Sequence, residues 1–235
     1  FERFTGSLNL SPSLLEDHLK MNINVKAMKT KTRYADTGVV GAAVSMDPTQ
    51  SVTTDQSPFT SMFGGYWQWT TTTSGVTSVN TNAPYNPLAT LMQKNDGSDA
   101  HDIIANAEFD YKFHALPDLH AHLNIAGDFA SGKQNTTVSE QAASDYANGG
   151  YYNWDKVTKT NKSVSAFLQY TKEFGKQRFD AMAGWELQHF YREGSYMKTP
   201  LVGTHVYQDS TIIWKSQSYL ESFFGRINYS IANRY

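Results

Sequence analysis

Residues Leu19 to Ala27 read Leu-Lys-Met-Asn-Ile-Asn-Val-Lys-Ala, apolar and polar in turn without a break. Successive side chains of an extended chain point to opposite sides, so this stretch sorts its residues only as a strand with one greasy face and one wet face. The same period of two returns in Phe4 to Leu10, Ile103 to Phe113, Leu119 to Phe129, Val164 to Tyr170, Phe179 to Leu187 and Phe223 to Tyr229. Most of these segments are about 9–14 residues long, which exceeds the ~5–6 of a typical soluble strand and suits a tilted bilayer crossing. Alternation alone is also compatible with a soluble β-sandwich whose greasy faces meet in a dry core.

The spacing of the segments separates these readings. Short connections, Ser11–His18, His114–Asp118 and Glu173–Gln177, alternate with long ones at about 35–100, 131–161 and 194–216. In an up-and-down sheet this puts every short turn at one rim and every long loop at the other, the asymmetry of outer-membrane barrels. A connection as long as the first would be out of place inside a compact soluble domain. Aromatic residues sit where a girdle would hold them: Phe109, Tyr111, Phe113, Phe174, Phe179 and Tyr229 near short turns, Tyr34 and Tyr191 toward the long loops.

Composition agrees. Aromatics make up 14% of the 235 residues and charged residues only 18%, below the usual quarter. There is no Cys, which excludes a disulfide scaffold, Cys-ligated metal and thiol catalysis. Twenty Lys and Arg against 22 Asp and Glu argue against nucleic-acid binding. The longest apolar run, around Val39–Val44, is far below the ~18–20 residues of a membrane helix. Phe1-Glu2-Arg3 opens no signal peptide, and the pattern is expected to be an internal stretch of a larger barrel.

Specific strings carry a resemblance. Asp36-Thr37-Gly38-Val39-Val40-Gly41-Ala42-Ala43-Val44-Ser45-Met46-Asp47-Pro48, Asn86-Pro87-Leu88-Ala89-Thr90-Leu91, Asn106-Ala107-Glu108-Phe109-Asp110-Tyr111 and Leu116-Pro117-Asp118-Leu119 look like the SusC/RagA family of TonB-dependent transporters. So does the closing Ser222-Phe223-Phe224-Gly225-Arg226-Ile227-Asn228-Tyr229-Ser230 with Asn233-Arg234-Tyr235, where Ile231 and Asn233 depart from the usual pattern. The resemblance implies an all-β, antiparallel, up-and-down transmembrane barrel segment, seven to eight of 22 strands in the family's barrel, with long extracellular loops. It further implies an outer-membrane importer of Bacteroidota that takes up oligosaccharides or peptides, with a SusD-like surface lipoprotein as partner and energy from the TonB complex through a plug and TonB box outside this stretch. The alternatives are a soluble carbohydrate-binding β-sandwich and a passive porin.

Candidate chemistry is sparse. His120 and His122 fall on one face of a strand, near Asp110 or Asp128, and could hold a metal. They read better as polar wall, and neither a metal, a cofactor nor a catalytic residue is expected. Gly64-Gly65 and Gly149-Gly150 read as loop flexibility, and Asn135-Thr136-Thr137 as an uninformative sequon. Aromatic faces stack on sugars and anchor interfaces, so the loop aromatics Tyr66, Trp67, Trp69, Tyr152, Trp154 and Trp214 are the candidate substrate contacts, with packing of the loops or of a lid protein as the competing reading. A short helix is expected over Gly38–Met46, capped by Asp36 or Thr37.

Overall fold

A computed structural model describes residues 1–207 and 211–231; Asn233-Arg234-Tyr235 of the closing motif lies outside the described residues. One antiparallel sheet dominates, in the order β1 (Glu2–Leu10), β3 (Leu19–Tyr34), β6 (Lys94–Lys112), β7 (Leu119–Val138), β8 (Tyr151–Phe174), β9 (Gln177–Pro200) and β10 (Ile212–Ile231), with the two-residue β2 (Ser13–Leu14) beside β3. The sheet is open, with β1 and β10 at its edges. Between β3 and β6 the chain builds α1 (Val39–Ser45), α2 (Phe59–Phe63), the hairpin β4 (Thr70–Thr73) and β5 (Val76–Val79), and α3 (Pro87–Met92).

Register fixes the two faces. Ile23 pairs with Ala107, Ala107 with Ile125, Ile125 with Val164 and Val164 with Leu187, so one apolar row runs unbroken across five strands. Because directly opposed residues share a face, the apolar face holds Leu19 to Ala27, Ile103 to Tyr111, Leu119 to Phe129, Val164 to Tyr170, Phe179 to Leu187 and Phe223 to Ile231 at alternate positions. Apart from the shorter Val164 to Tyr170, these stretches match the ~9–11 residues of a membrane-crossing strand. Among the described residues no second layer covers them: Phe223 is 79% exposed and Ile227 73%. A sandwich would bury this face under a second sheet, so the soluble alternative fails on the architecture.

The strands run well past the apolar band. Strand pairing replaces the loop expected at 94–100, both ends of the loop expected at 131–161, and both ends of that expected at 194–216. The first long connection is therefore 35–93 and the second 139–150. The reason is physical: beyond the band both faces are polar, so the hydropathy period vanishes while the backbone ladder continues. The Asn135 sequon accordingly lies in β7. Tyr34 points to the polar face, donating to or accepting from Ser98 Oγ at 3.0 Å, and so is not part of a girdle.

Candidate functional site

The connection 35–93 folds into a dome over the upper end of the polar face. Its organiser is Asn86, 3% exposed. As N-cap of α3 its Oδ1 accepts from the Leu88 and Ala89 N–H groups, both at 3.0 Å, with Pro87 placed where a helix needs no donor. Its Nδ2 donates to the Val52 and Trp67 carbonyls at 2.7 and 2.8 Å, and its backbone N–H donates to Gln68 Oε1 at 2.9 Å. Every polar atom of one buried side chain thus ties three separate chain segments together. Gln68, 2% exposed, reaches on to the Pro84 carbonyl.

Phe63 fills the dome's centre, 1% exposed, with its ring 5.3 Å from Tyr146 and edge-on. Gln93 binds the dome to the sheet: its Nε2 donates to the Phe63 carbonyl, and its own carbonyl accepts from Ser139 N–H. Gly149 and Gly150 carry φ of +78° and +67°, and a Cβ there would lie 2.1 Å from the Val202 carbonyl oxygen and 2.5 Å from that of Val138. They are packing requirements rather than loose joints. The short helix over 38–46 is present as α1, but its N-cap is Gly38; Asp36, two residues before the cap position, accepts from the Gly38 N–H at 3.0 Å.

Between α1, α3 and the strand tips lies a cleft of about 540 Å³, with Asp36, Ala42, Tyr85, Lys94, Asp145 and Tyr151 on its walls. Lys94 pairs with Asp36 at 3.1 Å. The hydrogen bond from Lys94, and then that from the Gly38 N–H, hold the Asp36 carboxyl below the usual carboxylate range. Beside the cleft Lys198 Nζ lies 3.8 Å from the Tyr151 ring centre and 4.0 Å from that of Tyr207, a cation held between two aromatic faces. Tyr207 donates to Asp145 Oδ2 at 2.7 Å, and burial together with that acceptor pushes its phenol up, so it stays protonated through the physiological range.

The six aromatics expected to touch substrate divide three ways. Tyr66, Trp67 and Trp69 belong to the dome, Trp67 packing edge-on against Trp69 at 4.8 Å and against Phe59 at 6.2 Å. Trp214 stands on the polar face of β10, lying over Gly194 with Arg192 5.3 Å from its ring. Tyr152 and Trp154 stand on the other side of β8, in phase with Val164 and Tyr170; Tyr152 donates to Asn135 and Lys133 lies over Trp154. The fold brings together instead Tyr85, Lys94, Asp145, Tyr151, Lys198 and Tyr207, none of them among those six.

Lower on the polar face, Asp180 accepts from Gln169, Thr171, Arg226 and Asn228, so its buried carboxylate is fully partnered. Asp110, His120 and His122 do come together: Asp110 Oδ1 is 2.8 Å from His120 Nδ1 and 4.0 Å from His122 Nδ1.

The chain is 43% identical, across its whole length, to the TonB-dependent receptor SusC of Bacteroides thetaiotaomicron, of which it covers 24%. It belongs to the SusC/RagA family. No family model matches the chain. Among solved structures, the RagAB peptide transporter superposes with a TM-score of 0.70 at 13% identity, over 98% of this chain and 26% of that one. The same importer in its closed-closed and open-open states gives 0.69 and 0.67. The chain thus spans about a quarter of the relatives it matches. For a SusC/RagA wall segment the two faces acquire names. The apolar face is the outside of a transmembrane barrel and the polar face its lumen, with the dome and cleft at the long-loop rim. Tyr152 and Trp154 therefore stand on the outside of the wall and Trp214 on the inside.

Proposed function

We propose that this chain forms wall and rim of an outer-membrane importer that draws oligosaccharide or peptide cargo through its lumen, together with a SusD-like surface lipoprotein and the TonB complex. The observation that carries the reading is the one-sided apolar band, uncovered on every strand, joined to a structured dome at one rim only. The likeness to the TonB-dependent receptor SusC along the whole of this chain supports TonB-coupled uptake, and the likeness of fold to a peptide importer keeps both cargo classes in play. No reaction is assigned to the chain; its chemistry is binding and passage.

The cargo surface proposed is the rim cleft with its neighbours: Tyr85, Lys94 and Tyr151 on the cleft, Lys198 beside it, and Trp214 on the lumen wall. Aromatic faces suit sugar rings and peptide side chains alike, while Lys94 and Lys198 offer charge to a carboxylate. The dome aromatics Tyr66, Trp67 and Trp69 pack against their own loop and would act by shaping the cleft. Tyr152 and Trp154, on the outside, have no part in this proposal.

The test is uptake by cells carrying the full-length parent. Labelled oligosaccharides and peptides are offered in parallel, with the outer-membrane fraction probed for the protein and for a co-purifying lipoprotein. Saturable uptake of one class that vanishes without the inner-membrane energy complex supports the reading. Energy-independent flux of both classes would point to a passive pore and overturn it.

A further inference from the structure

We infer that the outside of the wall, directly above its apolar band, carries a docking site for the phosphorylated sugar headgroup of an outer-leaflet glycolipid. The inference rests on the outer-membrane reading above. On β3 the outward positions run Leu19, Met21, Ile23, Val25, Ala27 and then Lys29, Lys31, Arg33, three exposed cations in succession. None of the three lies within ion-pair distance of a carboxylate among the described residues. At about 6.7 Å per two residues and a strand tilt near 40°, they stand about 5, 10 and 15 Å above the edge of the band. Those are the depths of a phosphorylated headgroup and its first sugars.

The neighbouring strands complete the site. Register sets His101 beside Lys29, Glu2 and Asp99 beside Lys31, and Gly97 beside Arg33. The missing side chain at Gly97 leaves a shallow outward cleft of about 440 Å³, walled by Glu2, Lys31, Arg33, Asn95, Asp99 and Asn135. Cations there can meet phosphate, while the carboxylates and amides accept from and donate to sugar hydroxyls. A bare phosphate would use only half of such a lining; a phosphorylated sugar uses all of it. Just below, Phe4, Ile103 and Phe129 are exposed and offer an apolar wall to acyl chains.

The position selects the leaflet. At the short-turn end of the same face the one outward lysine, Lys172, is already paired with Asp118. Among the described residues, Lys162 near the upper margin of the band is also outward and outside any ion pair. The run of three successive cations, however, is at the long-loop rim, where basic clusters beside a membrane attract anionic headgroups.

The experiment uses the full-length protein in detergent, titrated with lipid A and with the same lipid A after its phosphate is removed, and read by native mass spectrometry. The combined variant Lys29→Gln, Lys31→Gln, Arg33→Gln is compared with a charge-matched lumen control, Lys20→Gln, Lys26→Gln, Lys112→Gln. Wild type is expected to bind the phosphorylated form at least tenfold tighter; the outward variant loses that preference and the lumen control keeps it. Equal binding of the two lipids, equal loss in both variants, or displacement by inorganic phosphate at matched concentration would overturn the site. Fractionation of wild-type cells separates this failure from that of the larger reading. Protein found in the outer membrane without the phosphate preference refutes only the lipid site, and protein absent from the outer membrane refutes the importer itself.

Discussion

The wall and the dome solve the same chain's folding problem in opposite ways. Across the apolar band, backbone pairing satisfies every strand between the two edges on both sides while large hydrophobic side chains remain uncovered, so the wall has no core of its own and needs lipid as its solvent. Inside the dome the order is reversed: little regular pairing, but Phe63, Ala89, Val138 and Ala142 buried around the hydrogen-bonded pair Asn86 and Gln68. The difference shows which part depends on the membrane and which on its own packing. One should fail by losing its solvent, the other by losing a single polar hub.

Four perturbations would break or sharpen that contrast. The largest effect is expected for a charge in the band: Ile23→Lys or Leu123→Arg should cost about 2–4 kcal/mol if the face meets lipid, whereas Asn24→Lys and Asn124→Arg on the lumen face should be mild. Denaturant titration of the full-length protein in bilayers reads the difference, and equal costs on both faces would end the barrel assignment. Next, Asn86→Ala removes a helix cap and takes the side-chain donor from the Trp67 carbonyl and from the Val52 carbonyl, which keeps the Trp67 N–H, an expected loss of about 2–3 kcal/mol confined to the dome. Limited proteolysis should then cut within 35–93 while the heat-stable barrel band on a gel is unchanged; a vanished barrel band would show that wall and dome are one cooperative unit.

A smaller effect belongs to Gly184, where a Cβ would sit 2.4 Å from that of Phe167 and 2.7 Å from the Ala166 carbonyl oxygen. Gly184→Ala should cost about 1–3 kcal/mol through overpacking on the lumen face, and unchanged stability in the same titration would show that the neighbouring rings simply move aside. Smallest is the pH response of the rim. Asp36 has its folded-state pKa depressed, so its pairing with Lys94 contributes above the ordinary carboxylate pKa and is lost as pH falls below it. Amide protection at α1, taken relative to the intrinsic exchange rate, should fall on acidification below about pH 4. Lys94→Met should shrink that step, the bond from the Gly38 N–H remaining, and a step of the same size in the variant would assign it to another group.

What the sequence made legible follows the same division. Hydropathy alternation located the membrane half of every strand because there, and only there, the two faces differ in chemistry. The upper halves of β6 to β10 pair as regularly but carry polar residues on both sides, so no period marks them. The helix over 39–45 was readable from its small apolar residues, whereas α2 and α3 are a few residues each and depend on the Asn86 hub. The candidate site was read by counting tryptophans, and the side each one faces was the missing information. The signal existed: Tyr152 and Trp154 share the even phase of Val164 and Tyr170, while Trp214 is out of phase with Phe223 and Tyr229. Carrying phase up each strand sorts outside from inside. No local pattern could have joined Lys198 to Tyr151 and Tyr207, since the fold alone brings them together.

The dome's attachments also have a history. Its closing hydrogen bonds reach from Asp36 to Lys94 and from Ser61 to Gln141, separations of 58 and 80 residues. Such contacts are slow to close because the intervening chain must first be drawn in. The same holds for the β3–β6 pairs such as Leu19 with Tyr111, and the dome further needs Gln141, which lies beyond β7. The rim is therefore complete only once the tip of β7 has arrived with Ser139 and Gln141. Pulse-labelled hydrogen exchange during assembly should show the Leu88 and Ala89 amides gaining protection after those of β3 and β6; simultaneous protection would mean that the dome folds ahead of its support.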